Sequence, residues 1–192
     1  MDLDKLDRII KNEEDWDKFI ELLNTINEDY LKSIGKYNLF RISFYTWYVM
    51  AEWGRLSPKL EKCLDQAEHI LIDAFKIATE KYSNDEDYLW FYGYLISVFP
   101  EHFLSIYSDY LKAENAGKQM LNVASRMQYP LAIIFNEKFL EKDILEKDIL
   151  EKGKKDLENI FNESTEVYDY FIRMIELIES EDKKYNTSNI NT

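Results

Sequence analysis

Apolar residues recur at three- and four-residue spacing along most of the chain, which is the spacing of one face of an α-helix. The densest apolar run extends from Tyr88 to Phe99 and is interrupted only by the small residues Gly93 and Ser97. A helix of this composition is apolar on every side, which favours burial of all its faces. We therefore predict that this helix is a central layer on which the other helices pack, and that it is the least exposed segment.

The sequence before this run predicts amphipathic helices. Residues 2–11 form a short first helix, and Asn12 is placed to cap a second one, whose apolar stripe covers residues 16–34 and stops at Gly35. Residues 39–53 are rich in β-branched and aromatic side chains, so they also allow a strand. Their length and apolar spacing favour a helix.

Prolines and glycines divide the rest of the chain. Ser57 and Pro58 have the order of an N-cap and a first helical residue, and the helix that they open extends to about residue 82. Pro100 begins another helix, and Gly117 bends or divides it. The inner face of that helix is predicted to consist of Phe103, Leu104, Tyr107, Tyr110 and Leu111. The Tyr129–Pro130 pair marks the next boundary, because the residue before proline is pushed away from the helical region.

A short repeat follows, in which Leu-Glu-Lys recurs every five residues within 140–152. A five-residue period advances by about 140° around a helix, so no single surface buries all of its apolar residues. We interpret the repeat as a tandem duplication in a tolerant region. Gly153 is predicted to end its helix, and a last amphipathic helix is predicted from about Ser164.

The chain of 192 residues contains only 5 glycines and 3 prolines, which argues against a β-sandwich or barrel with many tight turns. We predict an all-α fold, a single compact domain of about six to eight mostly antiparallel helices. The helical domain is expected to cover residues 1–182, and residues 183–192 are expected to form a flexible tail.

The net charge of −13 disfavours nucleic acid and anionic membranes as partners, because both require a basic face. It favours a basic partner or serves solubility alone. The single cysteine, Cys63, cannot form an internal disulfide, which suits a reducing compartment. The N-terminus lacks the apolar segment of a signal peptide, and no run is long enough to span a membrane. These features predict a soluble cytoplasmic protein.

No arrangement of residues predicts catalysis or a cofactor. The two histidines, His69 and His102, lie outside the spacings of zinc and di-iron motifs. Cys63 and His69 would be about 120° apart around one helix, too far for a nucleophile–base pair. Nucleophile-elbow and phosphate-binding glycine motifs are also missing. We predict that the protein is not an enzyme and binds neither a metal nor a cofactor.

The 14 tyrosines and 4 tryptophans exceed the needs of an ordinary helical core. One interpretation is core packing in which each polar tip reaches the surface, which we favour for Trp16 and Trp90. The other is a protein-binding face, where tyrosine and tryptophan act as anchors. Tyr107 and Tyr110 are candidates for such a face.

Two runs, LWFYGYLISVFPEHF and YLKAENAGKQMLNVAS, carry a family resemblance over residues 88–125. They share an aromatic-Gly-Tyr helix, a proline that opens the next helix and a Gly-x-x-Met-Leu-x-x-Ala pattern. In these features the chain resembles helical immunity proteins of bacterial polymorphic-toxin and contact-dependent growth-inhibition systems. The resemblance implies a cognate toxin domain, commonly a nuclease, that is held inactive by direct binding. It assigns no catalytic residues and no interface positions.

Acidic residues near helix starts are the candidates for contacting such a toxin, because their carboxylates mimic the phosphates that a basic cleft attracts. Together with the two tyrosines, the predicted toxin-binding residues are Asp85, Glu86, Asp87, Glu101, Tyr107, Asp109, Tyr110 and Glu114. The acidic stretch 141–151 competes with them as a binding region.

A helical-repeat adaptor similar to tetratricopeptide proteins is the alternative. Residues 39–82 and 88–127 could form two successive helical hairpins of such an array. However, Trp90 and Gly93 miss the W-x-x-L-G spacing of the repeat by one position, and the chain has no period near 34 residues.

Overall fold

The structure is a computed structural model, and it describes residues 2–136 and 147–189, with side chains to residue 180. The described residues contain no strand and fold as one all-α body, which confirms the predicted fold class. The helices are α1 Leu3–Asn12, α2 Trp16–Leu23, α3 Glu28–Ser33, α4 Lys36–Leu56, α5 Leu64–Tyr82, α6 Glu86–Val98, α7 Leu104–Tyr107, α8 Tyr110–Arg126, α9 Pro130–Phe135, α10 Lys147–Ile160 and α11 Glu166–Asn189. Two 3₁₀ turns, Pro58–Cys63 and Pro100–Phe103, precede α5 and α7.

The central helix is α6, as the apolar run predicts. Every residue from Tyr88 to Ile96 is buried, and exposure returns only at Val98. Phe91 stacks on Phe40 of α4 with ring centroids 4.6 Å apart. Trp90 lies edge-on to Phe171 of α11, 5.0 Å away. The α6 helix therefore contacts both the early and the late parts of the chain, and the whole core depends on it.

The helices α6 and α8 cross where neither has a side chain. A Cβ atom added to Gly117 would lie 2.8 Å from the carbonyl oxygen of Gly93 and 2.7 Å from the backbone nitrogen of Ser97. Such distances are closer than any side chain allows, so the two backbones are in direct contact. A break at Gly117 is excluded, because α8 passes through this residue without interruption.

Buried polar groups join the two ends of the described chain. The Asp7 carboxylate is buried and accepts hydrogen bonds from Arg41 and from the Tyr45 hydroxyl of α4. It also accepts the backbone N–H of Glu166 at the start of α11, at 3.1 Å. Burial raises the pKa of Tyr45 well above its usual value, and the neighbouring Asp7 raises it further. Three helices are thus held together around one carboxylate.

Several predicted boundaries move. Asn12 ends α1, and Asp15, in the left-handed region with φ 55°, precedes α2. The predicted second helix is divided because Asn27 caps α3 through Oδ1, which accepts the Tyr30 N–H at 2.9 Å. Such divisions raise the helix number above six to eight. Residues 39–53 lie within α4, which excludes the strand alternative.

The C-terminal part differs from the prediction at Gly153 and at the end of the last helix. Helix α10 passes through Gly153, which is buried beneath Ile134 of α9, so this glycine serves close packing and does not end the helix. The repeat at 140–152 lies partly outside the described residues. Helix α11 continues to Asn189, past the predicted domain end at residue 182. The flexible tail at 183–192 stays a prediction.

Among the described residues, no helix combines the length and the apolar character that crossing a bilayer requires.

The burial of α6 makes a stability prediction. Leu95 is 0% exposed, so Leu95→Ala should lower the free energy of unfolding by about 2 to 5 kcal/mol through lost transfer energy and a cavity. Urea denaturation measures this change. Leu177, which is 52% exposed on α11, is the matched control, and Leu177→Ala should change stability by less than about 0.5 kcal/mol. Equal effects of the two variants would show that α6 is not the core.

The glycine contact makes a second prediction. Gly117→Ala should lower the free energy of unfolding by about 1 to 3 kcal/mol, because the new methyl group forces two backbones apart. Gly54 in α4 has no atom within 4 Å of an added Cβ, so Gly54→Ala should instead raise stability by up to about 1 kcal/mol. Thermal and urea melts of both variants test the opposite signs, and a neutral Gly117→Ala would contradict the close contact.

Candidate functional site

The eight predicted toxin-binding residues lie at the two ends of one helical hairpin. Helices α6 and α8 run antiparallel, since Met127 after α8 adjoins the start of α6 and the 3₁₀ turn after α6 packs on α8. Helix α6 has 13 residues, which places its ends about 20 Å apart. The structure therefore separates Asp85, Glu86 and Asp87 from the other five predicted residues.

At the start of α6, Asp85 and Asp87 are engaged within the chain. Asp85 caps the helix, and its Oδ1 accepts the Asp87 N–H at 2.9 Å. The Lys36 ammonium lies 3.0 Å from Asp85 Oδ2 and 2.6 Å from Asp87 Oδ2. Asp87 also accepts hydrogen bonds from the hydroxyls of Tyr37 and Tyr129. These two carboxylates hold α4 and the segment before α9 against α6.

The pKa values at this end follow from the same contacts. Burial lowers the pKa of Lys36, but its hydrogen bonds to Asp87 and Asp85 outweigh that effect and raise it overall. Burial and the nearby carboxylates of Asp87 and Glu86 raise the pKa of Asp156 on α10. The Glu86 side chain makes no hydrogen bond or ion pair with the described residues. It lines a shallow pocket of about 340 Å³ together with Asn84, Asp85, Asp87 and Met127.

The other end of the hairpin contains a surface that we call the α7–α8 corner, residues 101–114. Its shape depends on Ser108, which adopts the left-handed conformation with φ 60° and donates its N–H to the Leu104 carbonyl at 2.7 Å. Asp109 then caps α8, and its Oδ1 accepts the Lys112 N–H at 3.0 Å. This turn ends α7 after one helical turn and starts α8 in a new direction.

Large apolar side chains are exposed on the corner. Leu104 is 40%, Tyr110 50% and Leu111 63% exposed, and all three lie within eight residues of sequence. Tyr107 is half-buried, with its ring centroid 6.4 Å from that of Phe75 on α5. Burial raises the pKa of Tyr107. Exposed apolar clusters of this kind are typical of interaction sites.

The same corner contains three carboxylates. Glu101 is exposed and makes no ion pair with any described residue. Asp109 is exposed and retains one oxygen beyond its capping bond. Glu114 is engaged by Lys118 one turn later, at 2.9 Å. Five predicted residues, Glu101, Tyr107, Asp109, Tyr110 and Glu114, therefore lie in the same corner as the exposed apolar side chains.

Leu104, Tyr110 and Leu111 were predicted to face inward, and that prediction was wrong. Their spacing gives a single face only if one helix continues through all three residues. The left-handed Ser108 interrupts the helix and resets the direction of each side chain after it. A serine gives no sequence signal for that conformation, which glycine and asparagine adopt far more often. Phe103, by contrast, is buried as predicted.

The cysteine and His102 are packed within the fold. Cys63 is buried and its Sγ contacts the Leu60 carbonyl oxygen at 3.1 Å, and burial raises the pKa of its thiol. His102 stacks on Phe99 with ring centroids 5.5 Å apart, and burial lowers the pKa of its imidazole. In the described part of the chain, no three His, Cys, Asp or Glu side chains are arranged to hold a metal ion.

The chain matches no family model, no curated protein and no solved structure.

The two kinds of acidic residue at the start of α6 should respond differently to charge reversal. Asp87→Lys removes three hydrogen bonds and places an ammonium beside Lys36, so it should lower the free energy of unfolding by about 2 kcal/mol or more. Glu86→Lys has the same charge change without those bonds and should stay within about 0.5 kcal/mol of the wild type. Urea melts at neutral pH compare the variants. Equal destabilisation would show that the bonds to Asp87 contribute little.

Proposed function

We propose that the protein is an immunity protein, which binds a cognate toxin domain through direct contact and neutralises it. The toxin in this proposal is a basic domain, most simply a nuclease. The observation that carries the proposal is the α7–α8 corner, where Tyr110 and Leu111 are exposed in the same short segment as the exposed carboxylates of Glu101 and Asp109. Aromatic and apolar anchors with a polar rim are the usual composition of a protein–protein interface.

The net charge supports a basic partner. With 37 acidic and 24 basic residues, the molecule carries a negative field that attracts a basic cleft and speeds association. Such a cleft is built to receive phosphates, and the carboxylates of the corner offer it a competing set of anions. The same field repels nucleic acid and anionic membranes, so neither is a partner in this proposal.

The immunity resemblance and the corner fall on the same part of the chain. Residues 88–125 carry the resemblance, and the corner occupies residues 101–114 within them. In this proposal the protein has no catalytic turnover, needs no cofactor and acts in the cytoplasm, where it meets the incoming toxin domain. In this proposal, binding alone is enough to neutralise the toxin domain.

A peptide-binding adaptor is the second candidate, and the helix packing favours it in one respect. Helices α4 and α5 form one hairpin, and α6 and α8 form the next, as in tandem helical repeats. However, α6 is buried on all sides between Tyr88 and Ile96, so it cannot line an open peptide groove. An adaptor would bind peptides weakly, whereas an immunity protein would bind one folded domain tightly.

Substitutions at the corner test the proposed function. Cells that express the toxin domain encoded by the adjacent gene should survive with the wild-type protein and die with Leu111→Asp. Calorimetry should show at least about a tenfold loss of affinity, because a buried carboxylate replaces an apolar anchor. Leu177→Asp places the same change on an exposed leucine of α11 and should retain protection.

Association rates test the role of the carboxylates at the α7–α8 corner. Glu101→Lys should slow association and flatten its salt dependence, while Glu163→Lys, the same charge change in the loop before α11, should have a smaller effect. If the wild-type protein neither protects cells nor forms a complex with the toxin domain, the immunity proposal is wrong. If Leu111→Asp binds as tightly as Leu177→Asp, the toxin binds elsewhere.

A further inference from the structure

A second concave feature adjoins the corner. A pocket of about 240 Å³ lies between α5 and α7, which we call the α5–α7 pocket. It is lined by Glu68, His69, Ile72, Asp73, Lys76 and Ser105. Ser105 follows the exposed Leu104 directly in sequence, so the pocket adjoins the α7–α8 corner.

One face of α5 builds most of the pocket. Glu68, Ile72 and Lys76 follow one another at four-residue spacing, and His69 and Asp73 form the adjacent row. Ile72 is only 7% exposed, so it provides an apolar floor. The polar side chains stand around this floor, and the pocket thus combines an apolar base with a polar rim.

Hydrogen-bond acceptors predominate on the rim. The Glu68 carboxylate makes no hydrogen bond or ion pair with the described residues. The Lys76 Nζ atom lies 3.8 Å from Asp73 Oδ1, a long distance for an ion pair. The Asp73 and Lys76 side chains are also about half exposed, at 46% and 57%, so this ion pair is weak. His69 Nδ1 must donate to the Asp65 carbonyl, 2.6 Å away, because a carbonyl only accepts. In the neutral ring, Nε2 is therefore an acceptor.

We propose that the α5–α7 pocket binds an arginine side chain of the protein partner. This inference rests on the proposed function, because the arginine is supplied by the toxin domain. A guanidinium has five N–H donors and no acceptor, which matches a rim with two carboxylates, an imidazole Nε2 and a hydroxyl. Its aliphatic stem packs on Ile72. Among the described residues, no group of three His, Cys, Asp or Glu side chains is placed to hold a metal ion, and the proposed ligand is an organic cation.

Arginine fits this rim better than lysine does. The acceptors come from two rows of α5 and from α7, so they lie on different sides of the pocket. A planar guanidinium directs donors to several sides at once, whereas an ammonium is a compact charge that is more strongly hydrated. Lys76 does not block the site, because its weak pair with Asp73 can be replaced by the incoming cation.

The pocket can be tested without any toxin. Nα-acetyl-arginine amide, added to the full-length protein, should shift the ring signals of His69 in a ¹H–¹³C NMR spectrum and saturate in the millimolar range. His102 is the only other histidine and serves as an internal reference, because it lies outside the pocket. The neutral analogue Nα-acetyl-citrulline amide should leave His69 unchanged, and the lysine analogue should bind more weakly. An unmoved His69 signal would overturn the proposal.

Charge-neutral variants identify the acceptors. Glu68→Gln should weaken the binding of the arginine amide about three- to fivefold, as expected for the loss of a charged partner at an accessible site. Glu61→Gln is the matched control, since Glu61 is an exposed glutamate in the 3₁₀ turn before α5 and does not line the pocket. If both variants weaken binding equally, the amide senses only the general negative field, and the proposed site is wrong.

The same variants separate this inference from the proposed function. With a toxin domain that binds the wild-type protein, Glu68→Gln should raise the dissociation constant while Glu61→Gln leaves it unchanged. If the arginine amide binds but Glu68→Gln does not alter toxin affinity, the partner's arginine does not use this pocket, and the inference fails while the immunity function stands. If no toxin domain binds the wild-type protein, the proposed function fails whatever the amide titration shows.

Discussion

The contact between the backbones of Gly93 and Gly117 is the constraint on which the arrangement of the molecule depends. Two helices approach this closely only where neither has a Cβ atom, and the approach lets Leu121 of α8 pack against α6 as well. The resulting antiparallel hairpin determines where the surfaces lie. It places the acidic first turn of α6 at one end and the α7–α8 corner at the other.

The sequence predicts the core better than it predicts the surface. The burial of α6 is a property of consecutive residues, so the apolar run is sufficient to find it. Gly117 and Gly153 were misread, because a glycine in a helical pattern signals either a break or a close contact, and only the packing partner decides between them. The direction of the side chains at the corner was predicted wrongly in part because Ser108 adopts the left-handed conformation, which a serine does not signal in the sequence. Asp7 is buried by partners as distant in sequence as Glu166, which no local pattern can reveal.

Some carboxylates are paired with cations within the chain, and others are available to a partner. The cations of α4 are largely engaged within the chain, with Lys36 on Asp85 and Asp87 and Arg41 on Asp7. The carboxylates that they neutralise are structural. The excess negative charge therefore belongs to carboxylates such as Glu68 and Glu101, which make no ion pair with the described residues. Both are exposed, Glu68 on α5 at the α5–α7 pocket and Glu101 in the 3₁₀ turn before α7, so a basic partner meets unpaired acceptors at both positions.

The position of Phe171 has a consequence for how the protein is made. Its ring lies against Trp90, Tyr94 and Phe135, with centroids 5.0, 5.2 and 5.5 Å away, so the last described helix completes the aromatic core around the central one. The N-terminus of a chain leaves the ribosome first, and α11 is the last of these helices to emerge. Until it does, the apolar faces of α4, α6 and α9 remain uncovered. The aromatic core can therefore close only after α11 has left the ribosome.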